Sequence, residues 1–197
     1  MGFFDNLIRH AKSLEANKPI KNLAIQKTSS EVRPNTKIKK SPQTVRKNPN
    51  TGFPMAKETS IQRAREMYKQ TISISKYKPS GNKKLDYEMA IIDEVLPHYH
   101  LGDLYYKEGD WVKAENEWLS IVKKMGPLSA NKLAVMYHKE KRFKDEIAIL
   151  KDGFKYSVHN KVYPISDKDL VSERISKATI FLTAHIDQDK SVGYKLK

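Results

Sequence analysis

Apolar side chains along this chain fall into stripes at helical spacing, interrupted by one long stretch without a stripe. Near the N-terminus Phe3, Phe4, Leu7, Ile8, Ala11 and Leu14 recur at that spacing, with Arg9, Lys12 and Glu15 elsewhere on the wheel. This predicts a short amphipathic helix within 1–18, stopped by Pro19. Residues 26–57 lose the periodicity: Pro34, Pro42, Pro49 and Pro54 punctuate a run rich in Lys and Arg. Apolar content there is too low to offset the entropy of ordering, so a basic disordered linker is expected over 19–57. From residue 58 the helical pattern returns. Thr59 or Ser60 can cap a helix carrying Ile61, Ala64, Met67, Tyr68 and Ile72, which Lys78–Gly81 breaks. Leu85, Met89, Ile92 and Leu96 form the next stripe, ended by Pro97. Two longer segments follow, Pro97–Lys124 and Leu128–Tyr156, punctuated by Gly126-Pro127. A loop over 157–165 then leads to a last helix, capped by Ser166, with Val171, Ile175, Ala178, Leu182 and Ile186 on its stripe. The expectation is an all-α domain over 58–186 and a flexible tail over 187–197.

The two longer segments match each other at a spacing of 32 residues. Leu101-Gly102 maps onto Leu133-Ala134, Tyr105 onto Tyr137, Trp111 onto Phe143 and Trp118 onto Leu150. Self-similarity near this period marks stacked helix–turn–helix units. Closely packed antiparallel helices need small residues where backbones cross, and Gly102, Ala114 and Ala134 serve there. Turns fall at Gly109-Asp110 and Lys141-Arg142, after which large side chains fill the groove between helices.

Leu101-Gly102, Tyr105, Ala114, Trp118 and Pro127 together resemble the tetratricopeptide repeat. The second copy departs from the pattern, with Glu146 where a small Ala is usual and Gly153 where another is expected. The resemblance covers about 95–156. Because at least three units are usually needed for a stable stack, the flanking helices are expected to act as degenerate repeats or caps. It implies a short helical-repeat solenoid with a C-terminal capping helix. It also implies a concave groove, lined by the first helix of each pair, that accepts a peptide or helix. By matching position the groove would present Tyr99, Asp103, Tyr106 and Lys107 from the first copy and Asn131, Lys132, Val135 and His138 from the second. Some family members clamp a C-terminal carboxylate with paired Lys and Asn. Asp103 occupies one of those Asn positions and is expected to repel such a group.

Charge adds a second theme. The 197 residues carry a net +14, and residues 1–80 hold 17 Lys and Arg against 5 Asp and Glu, while residues 81–197 hold 20 against 18. A basic arm on a nearly neutral domain points to an anionic partner or to a solubilising tail. Arg33, Lys37, Lys39, Lys40, Arg46 and Lys47 space the arm's charge along an extended segment able to follow a phosphate backbone. Stacking aromatics are missing, with Phe53 the nearest, so nucleic-acid binding through it is expected to be weak, salt-sensitive and nonspecific.

Zero cysteines exclude disulfides, thiolate metal sites and a cysteine nucleophile, and fit a cytoplasmic protein. The first residues lack a secretory signal, Asn6 breaks the myristoylation pattern, and no apolar run approaches the ~18–20 residues that cross a bilayer. His98 and His100, two apart on a helix, diverge and make poor joint ligands. No zinc-protease, phosphate-loop, nucleophile-elbow or deaminase motif is present, so no enzyme, cofactor or metal is expected. The sequence thus predicts a protein–protein adaptor, with Phe3, Phe4, Leu7 and Ile8 of the N-terminal helix as a tethered second contact. That helix has three outlets: the repeats themselves, a partner groove or a membrane surface. The alternative is a nucleic-acid- or ribosome-associated protein held by the basic arm.

Overall fold

Among the described residues six α-helices follow one another: α1 Glu58–Ser73, α2 Lys83–Glu108, α3 Trp111–Met125, α4 Pro127–Glu140, α5 Phe143–His159 and α6 Lys168–Ala184, with a 3-10 turn at Ile186–Gln188. This computed structural model describes residues 45–74, 76–159 and 168–197, all within the compact unit Gln43–Lys197. The expected N-terminal helix with Phe3, Phe4, Leu7 and Ile8, the arm residues Arg33, Lys37, Lys39 and Lys40, and the Ser166 cap lie outside the described residues. Among the described residues the only strand-like pairing is an isolated antiparallel bridge between Lys47 and Pro54. No helix among them is long and apolar enough to cross a membrane.

Local chemistry sets the helix ends. Asn82 caps α2, its side chain accepting from the Lys84 and Leu85 amides at 3.2 and 3.3 Å, and Asp110 caps α3 by accepting from Lys113. Gly126 ends α3, and Pro127 opens α4 at the first helical position, where its missing N–H has no partner to lose. Pro97, expected to end a helix, lies inside α2 instead. A mid-helix proline removes one backbone bond and costs about 3 kcal/mol or more. Packing outweighs that cost, because α2 buries Ile91, Val95 and Leu104 while packing on both α1 and α3.

Consecutive helices pack on one another, and α3 also touches α5. The core holds most of the large side chains that the internal repeat picks out: Trp111, Trp118, Tyr137, Phe143 and Leu150 are buried, while Tyr105 packs against the core half-buried. Gly102 is where α2 admits Trp118: a Cβ added there would meet Nε1 of that indole at 2.5 Å. Trp118 uses the same Nε1 to donate to the Tyr99 carbonyl at 3.2 Å. Gly153 on α5 is glycine for a steric reason, since a Cβ there would lie 2.4 Å from the Ala130 Cβ of α4. Ile186, the last residue expected on the α6 stripe, lies past the helix end and is 63% exposed.

Two segments read as disordered or flexible are packed. Residues 45–57, expected within the linker, fold over the α2–α3 turn. Asn48 Nδ2 donates to the Glu108 carbonyl at 2.8 Å, Thr51 Oγ1 to the Gly109 carbonyl at 2.6 Å, and the Ala56 amide to the Lys107 carbonyl at 2.8 Å. Phe53 stacks flat on Trp111, with 4.6 Å between ring centroids. The segment orders because it satisfies carbonyls left free at the end of α2 and covers an aromatic ring. Residues 189–197, expected as a free tail, treat the α4–α5 turn the same way. The Lys190 amide donates to the Lys141 carbonyl at 2.8 Å. Ser191 Oγ caps α5 from a distance, accepting from the Lys144 and Asp145 amides at 3.1 and 3.2 Å. Tyr194 stacks on Tyr137 at 5.9 Å and donates its hydroxyl to Asp152 at 2.9 Å. Each of these two turns is thus sealed by a segment from one end of the compact unit Gln43–Lys197.

Replacing Tyr194 by Ala is expected to cost about 3 kcal/mol, the lower part of the range for a buried aromatic because this ring is only partly covered. It should also open the tail to trypsin at Lys195 and Lys190. Limited proteolysis read by mass spectrometry checks this, and a tail cut no faster than in the parent would refute the packed placement.

Candidate protein-binding face

The second half of α2 and the length of α4 share one face. Asp103 sits at its centre between two ammoniums, Lys107 Nζ at 2.7 Å and Lys132 Nζ at 2.8 Å. Lys132 Nζ also lies 5.3 Å from the Tyr99 ring centroid, in cation–π range. Burial alone would raise the Asp103 pKa, but the hydrogen bonds from Lys107 and Lys132 outweigh it and hold the carboxyl below its ordinary value. The expected repulsion of a carboxylate at Asp103 therefore gives way to a different picture. One carboxylate is bracketed by two cations, and the cluster carries net positive charge.

One turn further along α2, Tyr106 faces two ways. Its ring packs on Trp111 and Trp118 with centroids at 5.2 and 5.7 Å, while its hydroxyl accepts from Lys139 Nζ at 2.6 Å. Val135, on α4 beside Lys132, is 40% exposed. Tyr99, Asp103, Tyr106, Lys107, Lys132 and Val135 thus form one half-open strip over two helices.

Asn131 and His138 lie where α4 meets α6, each half-exposed and engaged by a neighbour. Asn131 accepts from Arg174 Nη1 at 3.0 Å, leaving a cavity of about 240 Å³ lined by Asn131, Val171, Glu173, Arg174 and Lys177. His138 Nδ1 lies 2.8 Å from Glu146, and its ring meets Phe181 edge-on at 4.8 Å. Glu146 is buried; that burial raises its pKa, with the His138 bond opposing. Of the arm, Arg46 pairs with Glu58 at 3.2 Å, and Lys47 is exposed within the bridge to Pro54.

The two neighbouring histidines part company: His98 meets Glu117 at 2.7 Å, whereas His100 lies beside Tyr99 on the candidate face. Burial lowers the His100 pKa, Lys132 and Lys107 push it the same way, and Asp103 opposes. A histidine with a depressed folded pKa contributes stability that is complete above the unfolded value near 6.5 and is lost as pH falls through the folded one. His100→Gln is therefore expected to shrink the drop in Tm between pH 7.5 and pH 5.5 relative to the parent. An equal drop in both proteins would refute this.

Sequence reasoning missed a second cluster. At the turn end of the repeats a concavity of about 340 Å³ is lined by Phe53, Lys139, Glu140, Lys141, Arg142 and Lys190. Its residues come from three regions far apart in sequence. One signal was visible: Lys141 stands 32 residues after Gly109, at the turn position where the backbone is left-handed in both copies, with φ 78° and 62°.

Among the described residues no three or more His, Asp and Glu side chains group to hold a metal ion. No family model, curated protein or solved structure matches this chain.

Proposed function

We propose that this chain is a non-catalytic adaptor of tetratricopeptide-like architecture, with α2–α3 and α4–α5 as its two repeats and α1 and α6 as degenerate flanking units. The internal 32-residue match supports this reading, since Trp111, Trp118, Tyr137, Phe143 and Leu150 fall in the buried core and Tyr105 packs against it half-buried. The partner segment lies along the α2–α4 face. The observation that carries this is the half-open strip of Tyr99, Asp103, Lys107, Lys132 and Val135, where ring surface, an aliphatic side chain and unequal charge meet on α2 and α4, the first helices of the two units. Such a surface offers apolar contact for affinity and fixed charges for register. The N-terminal helix, tethered by the arm, is a second contact.

A second reading, nucleic-acid or ribosome association through the arm, is favoured by the 17-to-5 excess of basic over acidic residues in 1–80. Site-specific photo-crosslinking in native lysate separates the two. A crosslinker at Val135 is expected to give discrete protein adducts that survive nuclease and disappear in a Lys132→Glu background. A crosslinker at Val112, 59% exposed on α3, should give none of them. The same adducts from both positions, or adducts that vanish with nuclease, would sink the groove reading.

A further inference from the structure

We propose that the concavity at the turn end of the repeats binds a phosphate dianion, as a free ion or as the terminal group of a phosphoester. Lys139 and Lys141 flank it from α4 and its C-cap, Lys190 closes it from the C-terminal segment, and Phe53 supplies an apolar wall. None of these three lysines has a carboxylate partner among the described residues. Lys139 Nζ is held by the Tyr106 hydroxyl at 2.6 Å and Lys141 Nζ by the Gln188 side-chain oxygen at 2.9 Å. Both are neutral acceptors that hold an ammonium without cancelling its charge. The one carboxylate in the lining, Glu140, faces Arg142 Nη1 at 3.3 Å, a cation it shares with two other carboxylates, so the three lysines supply the positive charge of the concavity. Arg142 itself is committed to Glu115, Glu140 and Asp145. Lysines remain as the cations without a carboxylate, and lysine serves phosphate as a point charge.

The backbone supplies an independent observation. Lys141 is the only non-glycine residue with positive φ among the described residues, at 62°. The left-handed conformation is disfavoured for any residue bearing a Cβ, and the equivalent turn of the first repeat carries Gly109 at φ 78°. A lysine therefore occupies a position where the local backbone favours glycine, and that residue lines the concavity together with Lys139 and Lys190. Residues kept against local preference concentrate at functional sites.

Calorimetric titration of full-length protein with inorganic phosphate and with phenyl phosphate, at constant ionic strength, tests the site. Saturable binding is expected with at least one probe, falling roughly tenfold or more in Lys139→Gln/Lys141→Gln/Lys190→Gln, the order expected from losing charge-assisted contacts. Lys141→Gly, which relieves the strain, should weaken binding while its Tm stays at or above the parent's, so that loss of fold is not the cause. Stronger phenyl phosphate binding assigns a phosphoester, stronger inorganic phosphate a free ion. Arm substitutions at Arg33, Lys37, Lys39 and Lys40 to Gln should leave the affinity unchanged. No saturable binding, unchanged affinity in the triple variant, or loss that follows the arm substitutions would overturn the proposal.

Discussion

Exchanging Arg142 for methionine is expected to destabilise the domain by about 3–5 kcal/mol, the cost of removing one partner from a buried ionic cluster. The Arg142 side chain is 8% exposed and ties four parts of the chain together. Its Nε donates to Asp145 at 2.8 Å, its two terminal nitrogens reach Glu115 at 3.0 and 3.1 Å, and Nη1 reaches Glu140 at 3.3 Å. Nη2 also donates to the Gly193 carbonyl at 3.3 Å, and the planar group lies 4.1 Å from the Tyr137 ring centroid. Burial alone would lower the arginine pKa, but its hydrogen bonds to Glu115 and Asp145 outweigh that and raise it. Without it three carboxylates face one another across α3, α4 and α5. Arg142→Lys should recover only part of the loss, since a single ammonium cannot serve this fork of acceptors. Urea melts measure the deficit, and for a domain of this size it corresponds to a fall in Tm of roughly 6–20 °C.

The deficit should also depend on pH. Burial already raises the Glu140 pKa, with Arg142 opposing, so deleting Arg142 lets it rise further. A carboxyl whose folded pKa exceeds its unfolded value near 4.3 binds protons preferentially in the native state, so native stability improves as pH falls through the folded value. The gap between Arg142→Met and the parent should therefore narrow from pH 7 to pH 5. A loss below about 1 kcal/mol at pH 7, far under the range for a broken buried pair, would mean that the cluster does not hold the turn.

What the sequence made legible, and what it did not, follows from where each signal lives. Trp118, Tyr137 and Phe143 were readable because a buried aromatic recurring at a fixed period has one simple explanation, a repeated core. Their burial is all that the pattern needed. The segments 45–57 and 189–197 were misread because their order comes from pairing rather than composition. Asn48, Thr51 and Ser191 are ordinary polar residues until a free helix-end carbonyl or amide lies opposite, and nothing local announces that partner. The same limit applies to the candidate face. Position alone placed Tyr99, Asp103, Lys107 and Lys132 together, but charge read residue by residue made Asp103 repulsive. Only the distances to two ammoniums reverse that sign. Asn131 and His138 were equivalent to those residues by register, and they differ in meeting Arg174 and Phe181 of α6. Pro97 shows the opposite bias, a strong local signal overruled by burial on both sides of the helix.

The packing around Gly102 predicts a compensating pair of substitutions. Gly102→Ala alone should cost about 1–3 kcal/mol, because the new methyl meets an indole that cannot retreat. The ring atoms Nε1, Cδ1 and Cε2 of Trp118 lie 2.5, 2.7 and 2.9 Å from the added Cβ, and Trp118 is fully buried. Trp118→Leu alone should cost roughly 2–4 kcal/mol, somewhat below full truncation to alanine, because leucine fills part of the vacated volume. The second repeat already uses the combined solution. At the two equivalent positions it carries Ala134 and Leu150, and both are buried. In the double variant the methyl introduced by Gly102→Ala occupies space the indole leaves, so each change removes part of the damage caused by the other. The Tyr99 carbonyl loses the indole donor, a minor term because that carbonyl sits within α2. The double variant should therefore be more stable than the sum of the single losses by about 0.5–3 kcal/mol, the range of coupling for residues in contact. A double-mutant cycle by urea denaturation measures it. Strict additivity would mean that Gly102 is kept for its backbone freedom rather than for the ring, and the steric equivalence of the two repeats would fall with it.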